Sequence, residues 1–460
     1  MKASALDMTK GNPFVLLLKF TWPIYIGSAF QQIYNLVDAV IVGNFVGENA
    51  LASVNVTATV VNLLFSLING VTSGVGVVIA QYYGARDQKG IQRTFATSLY
   101  VMGGLTVIIT LLGVVFSRGI LQLLKAPAGI IDDAVSYLTV IFLGTVATVL
   151  YNLMASVLRG LGDSVTPLIF LIVASALNVG LDLLFILVFH MGVLGAGVAT
   201  VLSQAISGVL CVAYAMRKMQ VLRLKRHELK FDRVIMAGTL KIGLPAGFEM
   251  AFISFSQMIV QSVINGYGTS VVAGFGAASK VETLVAMFGY SLGNAAGTYT
   301  GHNVGAGHYD RVKQGFKASV VIIAISSAVL SLVTFFAARP IMSLFLPGGD
   351  GIEAGCEYLR IIAFFLFFLW IMSLCRNILR CAGDVMISIV MGGWEICSRV
   401  IFVSFLPGLL GRVGVWWVTP ITWTTTMVIG LIRYLSGKWK QKALVGAHSE
   451  QDLEEGSQKP

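Results

Sequence analysis

Apolar residues run through this chain in long stretches, broken by short clusters of Gly, Pro and charged residues. A helix needs about twenty apolar residues to cross a bilayer. On that measure the chain predicts twelve spans. Six lie in the first half, at about 14–43, 51–80, 94–117, 134–158, 166–189 and 193–216. Six lie in the second, at about 238–264, 271–300, 316–338, 358–379, 386–407 and 413–435. Turn-forming clusters such as Arg159-Gly160-Leu161-Gly162-Asp163 and Pro347-Gly348-Gly349-Asp350 punctuate them.

The two sets of six repeat. A shift of 221 residues brings Gly84-Ala85 onto Gly305-Ala306, Arg118 onto Arg339 and Leu158-Arg159 onto Leu379-Arg380. The same shift brings Gly162-Asp163 onto Gly383-Asp384, and one added residue brings Pro23 onto Pro245. An even number of spans per half makes both halves enter from the same side. They are then related by an axis along the membrane normal, the parallel-repeat plan of many transporters. The predicted fold is an all-α integral membrane protein with two pseudo-symmetric six-helix bundles. Its parts are an N-terminus at 1–13, lobes at 14–216 and 238–436, a basic linker at 217–237 and a polar tail at 437–460.

Composition agrees with a membrane setting. Of 460 residues, 56% are hydrophobic and 12% charged, and the mean hydropathy is +0.82. Soluble domains carry about 25% charged residues. The net charge of +10 does not point to nucleic acid, because Lys and Arg sit in the loops. With a cytoplasmic N-terminus the inner loops and tail start hold 19 of them, and the outer ones hold four: Arg118, Lys125, Arg339 and Arg412. The positive-inside rule therefore predicts both termini in the cytoplasm. The five cysteines show no metal-ligand spacing and imply no disulfide framework. Met1 to Asn12 lacks a signal peptide's apolar stretch, so the first span is expected to be retained. HExxH and the P-loop are absent from the sequence, and the single GxSxG match, Gly289-Tyr290-Ser291-Leu292-Gly293, falls inside an apolar span rather than at the strand-to-helix turn that signature requires. An ion gradient, rather than ATP, is the expected energy source.

Ionisable residues inside spans are costly and mark function. Asp38 lies in the first span, Asn178 and Asp182 share one face of the fifth, and Thr200 lies in the sixth. At ~1.5 Å per residue, Asp38, Asp182 and Thr200 all fall roughly 10 Å below the outer surface. Two carboxylates, an amide and a hydroxyl at one depth suit Na⁺, and they equally suit a proton. The alternative is polar glue between helices. Pro23 predicts a bend in the first span. In the second half, Glu395 and Arg399 are spaced as an internally neutralised pair, and Arg376 is placed to snorkel. Glu249 has no local partner and is the candidate contact for a substrate cation.

The order of several short motifs resembles the multidrug and toxic compound extrusion (MATE) family, in its bacterial, DinF-like or a related branch. These motifs are Phe20-Thr21-Trp22-Pro23, the run from Asp38 to Gly47, and Gln81-Tyr82-Tyr83-Gly84-Ala85. They continue with Leu158 to Asp163, Gly243-Leu244-Pro245 and Asn303-Val304-Gly305-Ala306-Gly307. The resemblance covers nearly all of residues 12–436. It implies a V-shaped pair of bundles and antiport of drugs, often cationic and aromatic, against Na⁺ or H⁺. It also implies an ion site on Asp38, Asn178, Asp182 and Thr200, the set already singled out by depth.

The expectation is a secondary active multidrug exporter in the plasma membrane, working as a monomer on small organic substrates. No cofactor, nucleic acid or metal is expected beyond the coupling ion. A flippase for lipid-linked precursors and a non-transporting membrane scaffold are the rival readings.

Overall fold

The computed structural model describes residues 6–443 other than 125 and 128. Lys125 of the outer-loop count, and the tail from residue 444, lie outside them. Among the described residues the chain is helical, with no strand. The first half contains α1 (Pro13–Phe45), α2 (Glu48–Gly84), α3 (Gln88–Leu123), α4 (Ile131–Leu143), α5 (Thr145–Gly160), α6 (Val165–Leu183) and α7 (Gly192–Lys218). The second contains α8 (Arg233–Ile264), α9 (Thr269–Gly305), α10 (Tyr309–Phe336), α11 (Ala338–Phe345), α12 (Asp350–Cys381), α13 (Met386–Leu410) and α14 (Arg412–Leu435).

Eleven of the described segments are long and apolar enough to span a membrane alone, and twelve are when α4 and α5 count as one. That pair is bent by 48°. Gly144 sits at the break, and a Cβ there would overlap the Val201 side chain of α7. The bend therefore follows from close packing against α7. Most helices outrun the predicted spans, because helical backbone continues past the apolar stretch into polar caps. At the start of α3, for example, the Asp87 side chain accepts from the Gly90 amide at 2.9 Å. Large apolar side chains such as Val115, Phe336 and Leu435 stay exposed, at 70%, 74% and 70%. Ser, Thr and Asn residues such as Thr57, Ser207 and Asn303 are buried. This inverts the soluble pattern and suits a lipid surround.

The chain forms two compact units. One holds Pro23–Gly247 with Leu6, and the other holds Asp7–Trp22 with the chain from Phe248 onward. The units are thus not divided where the sequence places its lobes, at 14–216 and 238–436. The start of each half's first helix packs into the other unit, and local contacts explain why. In the first unit α2 and α8 touch backbone to backbone. A Cβ on Gly70 would stand 2.5 Å from the Gly243 carbonyl oxygen, and one on Gly74 would stand 2.6 Å from that of Thr239. Small residues permit such an approach. In the second unit, Arg311 donates to the Gly11 carbonyl at 3.0 Å and the Asn303 amide to that of Met8 at 3.1 Å. Trp22 packs edge-on to Phe288, with ring centroids 6.1 Å apart.

Gly70→Val should therefore destabilise the protein by about 1–3 kcal/mol, the usual cost of overpacking. Gly104→Val, where open space surrounds the position, should be near neutral. Thermal unfolding in detergent distinguishes them, and equal shifts would remove the contact's claimed role.

Candidate functional site

Asp38 on α1, Asn178 and Asp182 on α6 and Thr200 on α7 all belong to the first unit. Asn178 and Asp182 are fully buried, at 1% and 0% exposure, while Asp38 and Thr200 are half-buried. The Asn178 amide donates to the Thr200 hydroxyl at 3.4 Å. The carboxyl groups of Asp38 and Asp182 stand within hydrogen-bonding reach of each other. The spacing argument thus selected side chains that do come together.

Their oxygens are short of donors. Asp38 Oδ1, Asn178 Oδ1, both oxygens of Asp182 and Gln204 Oε1 are buried and accept no hydrogen bond among the described residues. An unsatisfied buried polar atom costs about 1–3 kcal/mol, and more when charged. Two facing carboxylates have nothing to share until a proton or a cation enters. An apolar cluster that includes Ile41, Val42, Ile186 and Val193, with Val37 and Val179 packed on it, lies on the same helices. A π-helical turn, Leu184–Val188, begins two residues after Asp182. Such turns are rare and recur at functional sites. The donor set is hard oxygen. No cluster of three or more His, Cys, Asp or Glu suited to a metal occurs among the described residues. The chemistry fits a proton or a small monovalent cation better than a transition metal.

Three neighbours escaped the sequence reading. Tyr34 and Tyr137 are close enough to interact electrostatically with both carboxyls, and Gln204 lies one turn beyond Thr200. Tyr34 and Gln204 are each four residues from a recognised member, so helical spacing alone could have found them. Tyr137 reaches the site from α4, and no local signal marks it.

Pro23 lies inside α1, which continues through it, at the residue where the chain enters the first unit. The second-half expectations need correction. Glu249 is 4% exposed and pairs with the Arg376 Nε at 3.0 Å, so its charge is already met and the role of substrate-cation contact is not retained. Arg376 does not snorkel, because it is buried and also binds Glu395. Glu395 and Arg399 do not pair with each other. Arg399 donates to the Ser256 hydroxyl at 2.5 Å instead. Glu282 accepts from the Tyr358 hydroxyl at 2.6 Å. The guanidinium of Arg376 therefore ties α8, α12 and α13 together.

Comparisons with known proteins bear on the family and the fold. The family model described as MatE matches residues 23–184 and again 245–406, once per repeat. The chain is 30% identical over 443 residues to a probable multidrug resistance protein, YpnP, of Bacillus subtilis, covering 96% of this chain and 99% of that protein. It is 27% identical to another from the same organism, YoeA, covering 92% and 94%. The outward-facing structure of a multidrug resistance MATE family transporter of the MOP superfamily shares the fold. It has a TM-score of 0.89 at 22% identity, covering 95% of this chain and 99% of that one.

Removing one partner of a buried ion pair strands the other, at about 3–5 kcal/mol. Arg376→Gln is expected to lower stability by that order, and Glu249→Gln/Arg376→Gln together by less than the sum. A double-mutant cycle on thermal unfolding measures this, and additive losses would mean the pair is not coupled. At the first-unit cluster, Na⁺ or H⁺ binding should raise the wild-type unfolding temperature. An ion at 100 times its Kd stabilises by about 2.7 kcal/mol. The same titration at constant ionic strength should leave Asp182→Asn nearly flat, and an unchanged response there would place the ion elsewhere.

Proposed function

The chain belongs to the MatE family of transporters, and from that premise we propose that it exports small organic compounds, cationic ones among them, in exchange for Na⁺ or H⁺. One observation carries the coupling: the buried, donor-poor oxygens of Asp38, Asn178 and Asp182, which need a positive partner. The family names of its relatives support the multidrug efflux reading. As a transporter of this family it needs no catalytic centre.

In the proposed cycle, Asp38 and Asp182 take up the coupling ion when the site opens outward. Neutralising them removes the repulsion between the carboxylates and lets α1 pack closer to α6. Because α1 carries both Asp38 and Pro23, the change is passed along one helix. Compound affinity falls, release follows, and the loaded protein returns inward. The proposed location is the plasma membrane with both termini in the cytoplasm, which the loop charges support. Action as a monomer is part of the proposal. In the second unit the flippase reading gains little, since the buried Arg376 is met by Glu249 and Glu395 rather than left to form a basic cavity.

The test is efflux of an organic cation such as ethidium from proteoliposomes, under a Na⁺ gradient and a pH gradient imposed separately. Wild type should respond to one gradient, and Asp38→Asn should lose at least ten-fold in rate. An Asp38→Asn protein that pumps normally would sink the scheme.

A further inference from the structure

The first unit contains a cavity of about 110 Å³ lined by, among others, Gly27, Gln31, Asn152, Ala155 and Arg159. Arg159 is half-buried there, in the last turn of α5. Its electrostatic neighbours are Tyr151 and Cys211. No carboxylate lies within ion-pairing distance of it among the described residues. A half-buried guanidinium facing a cavity without an anion has part of its charge withdrawn from water with no partner to meet it.

The repeat shows what is missing. The shift that brings Arg159 onto Arg380 brings Ala155 onto Arg376, and the one that brings Pro23 onto Pro245 brings Gly27 onto Glu249. Local packing confirms this register. In the first unit a Cβ on Gly27 would meet Leu171 at 3.5 Å, and in the second the repeat mate of Leu171, Gly392, packs its Cβ position 3.5 Å from Glu249 Cγ. In the second unit the place is full: Glu249 lies 3.0 Å from Arg376 and 3.9 Å from Arg380. In the first unit the equivalent positions hold Gly27 and Ala155, with neither the carboxylate nor that arginine. What remains is space beside one unmatched guanidinium.

We infer that this cavity receives the carboxylate of an exported organic compound, with Arg159 as its anion-binding residue. The bound carboxylate takes the place that Glu249 fills in the other repeat. Arg159 presents a planar fork of donors matched to a carboxylate, and Gln31, Asn152 and Ser28 border the same space. The substrate class is then wider than cations. It includes acids and zwitterions whose carboxylate end enters while the rest stays outside the small cavity. This inference rests on the export reading for its ligand, but its test does not need transport.

The experiment compares two probes in nanodiscs: a xanthene dye with a free benzoic acid, and the methyl ester of the same dye. Wild type should bind the acid more tightly. Arg159→Gln should weaken the acid by roughly ten-fold or more, the usual worth of a hydrogen bond to a charged group, and leave the ester unchanged. Gly27→Glu, whose new Cβ meets ordinary contact distances, should supply an internal carboxylate and weaken the acid likewise. Equal losses for acid and ester in a folded Arg159→Gln would make Arg159 structural and overturn the inference, as would unchanged acid binding in Gly27→Glu. Nanodiscs with added phosphatidylglycerol separate the two anion sources. A retained preference for the acid assigns the site to the exported compound, and its loss assigns it to a lipid phosphate and overturns the substrate reading. Gradient-driven efflux of the ester reports separately on export, so a failure there with acid-selective binding intact would remove the transport reading alone.

Discussion

A charge inside a bilayer-spanning protein must be met by an opposite charge, a hydrogen-bond donor or a proton, since neither lipid nor tight packing supplies one. The two units answer this constraint in opposite ways. In the second, Arg376 is a built-in cation for Glu249 and Glu395, fixed by the chain itself. In the first, the carboxyls of Asp38 and Asp182 face each other with no arginine between them. The first arrangement is closed and favours rigidity. The second is incomplete, and its completion depends on what the solution on either side provides. Coupling to an ion gradient requires that dependence, and a permanently paired carboxylate would be blind to it.

Much of this was legible in the sequence. Twelve spans, the repeat and the shared depth of Asp38, Asp182 and Thr200 follow from periodicity and a fixed rise per residue. Counting depth selected residues that the structure places side by side, since the Asn178 amide reaches the Thr200 hydroxyl and the carboxyls of Asp38 and Asp182 meet. Pairing in the second unit was not legible. The partner of Glu249 is Arg376, on a helix far along the chain, and the helical-spacing rule that offered Arg399 to Glu395 was overridden by a better-placed guanidinium. The rule reports who is near on one helix surface, and it says nothing about competitors on neighbouring helices. The break between α4 and α5 was missed for a similar reason, because the close contact at Gly144 is with Val201 on another helix.

The exchange of helix starts follows a separate logic. Residues 13–22 of α1 pack with the second unit and the rest of α1 with the first, while α8 changes over in the other direction after Gly247. Pro23 stands at one changeover and Pro245 within two residues of the other. Proline removes a backbone hydrogen bond and weakens the helix locally. A helix shared by two separately packed bodies bends at least cost where a bond is already missing. The matched positions in the two repeats are what duplication of one such helix would leave.

Duplication also sets what divergence can do. Gly27 and Glu249 occupy equivalent places, as do Ala155 and Arg376. Losing the Glu alone from a cluster like that of the second unit would leave Arg380 without a carboxylate and Arg376 with Glu395 only. Losing it together with one arginine strands a single one, beside a cavity that water or a ligand can enter. Truncating both side chains to Gly and Ala therefore costs less than removing either, because the buried charge that vanishes is almost balanced. The residual imbalance, Arg159, is the smallest the scaffold could keep while opening space. On the inference drawn above, a half-emptied charge cluster stands between a structural ion pair and a binding site, a route by which a repeat protein gains recognition without adding contacts.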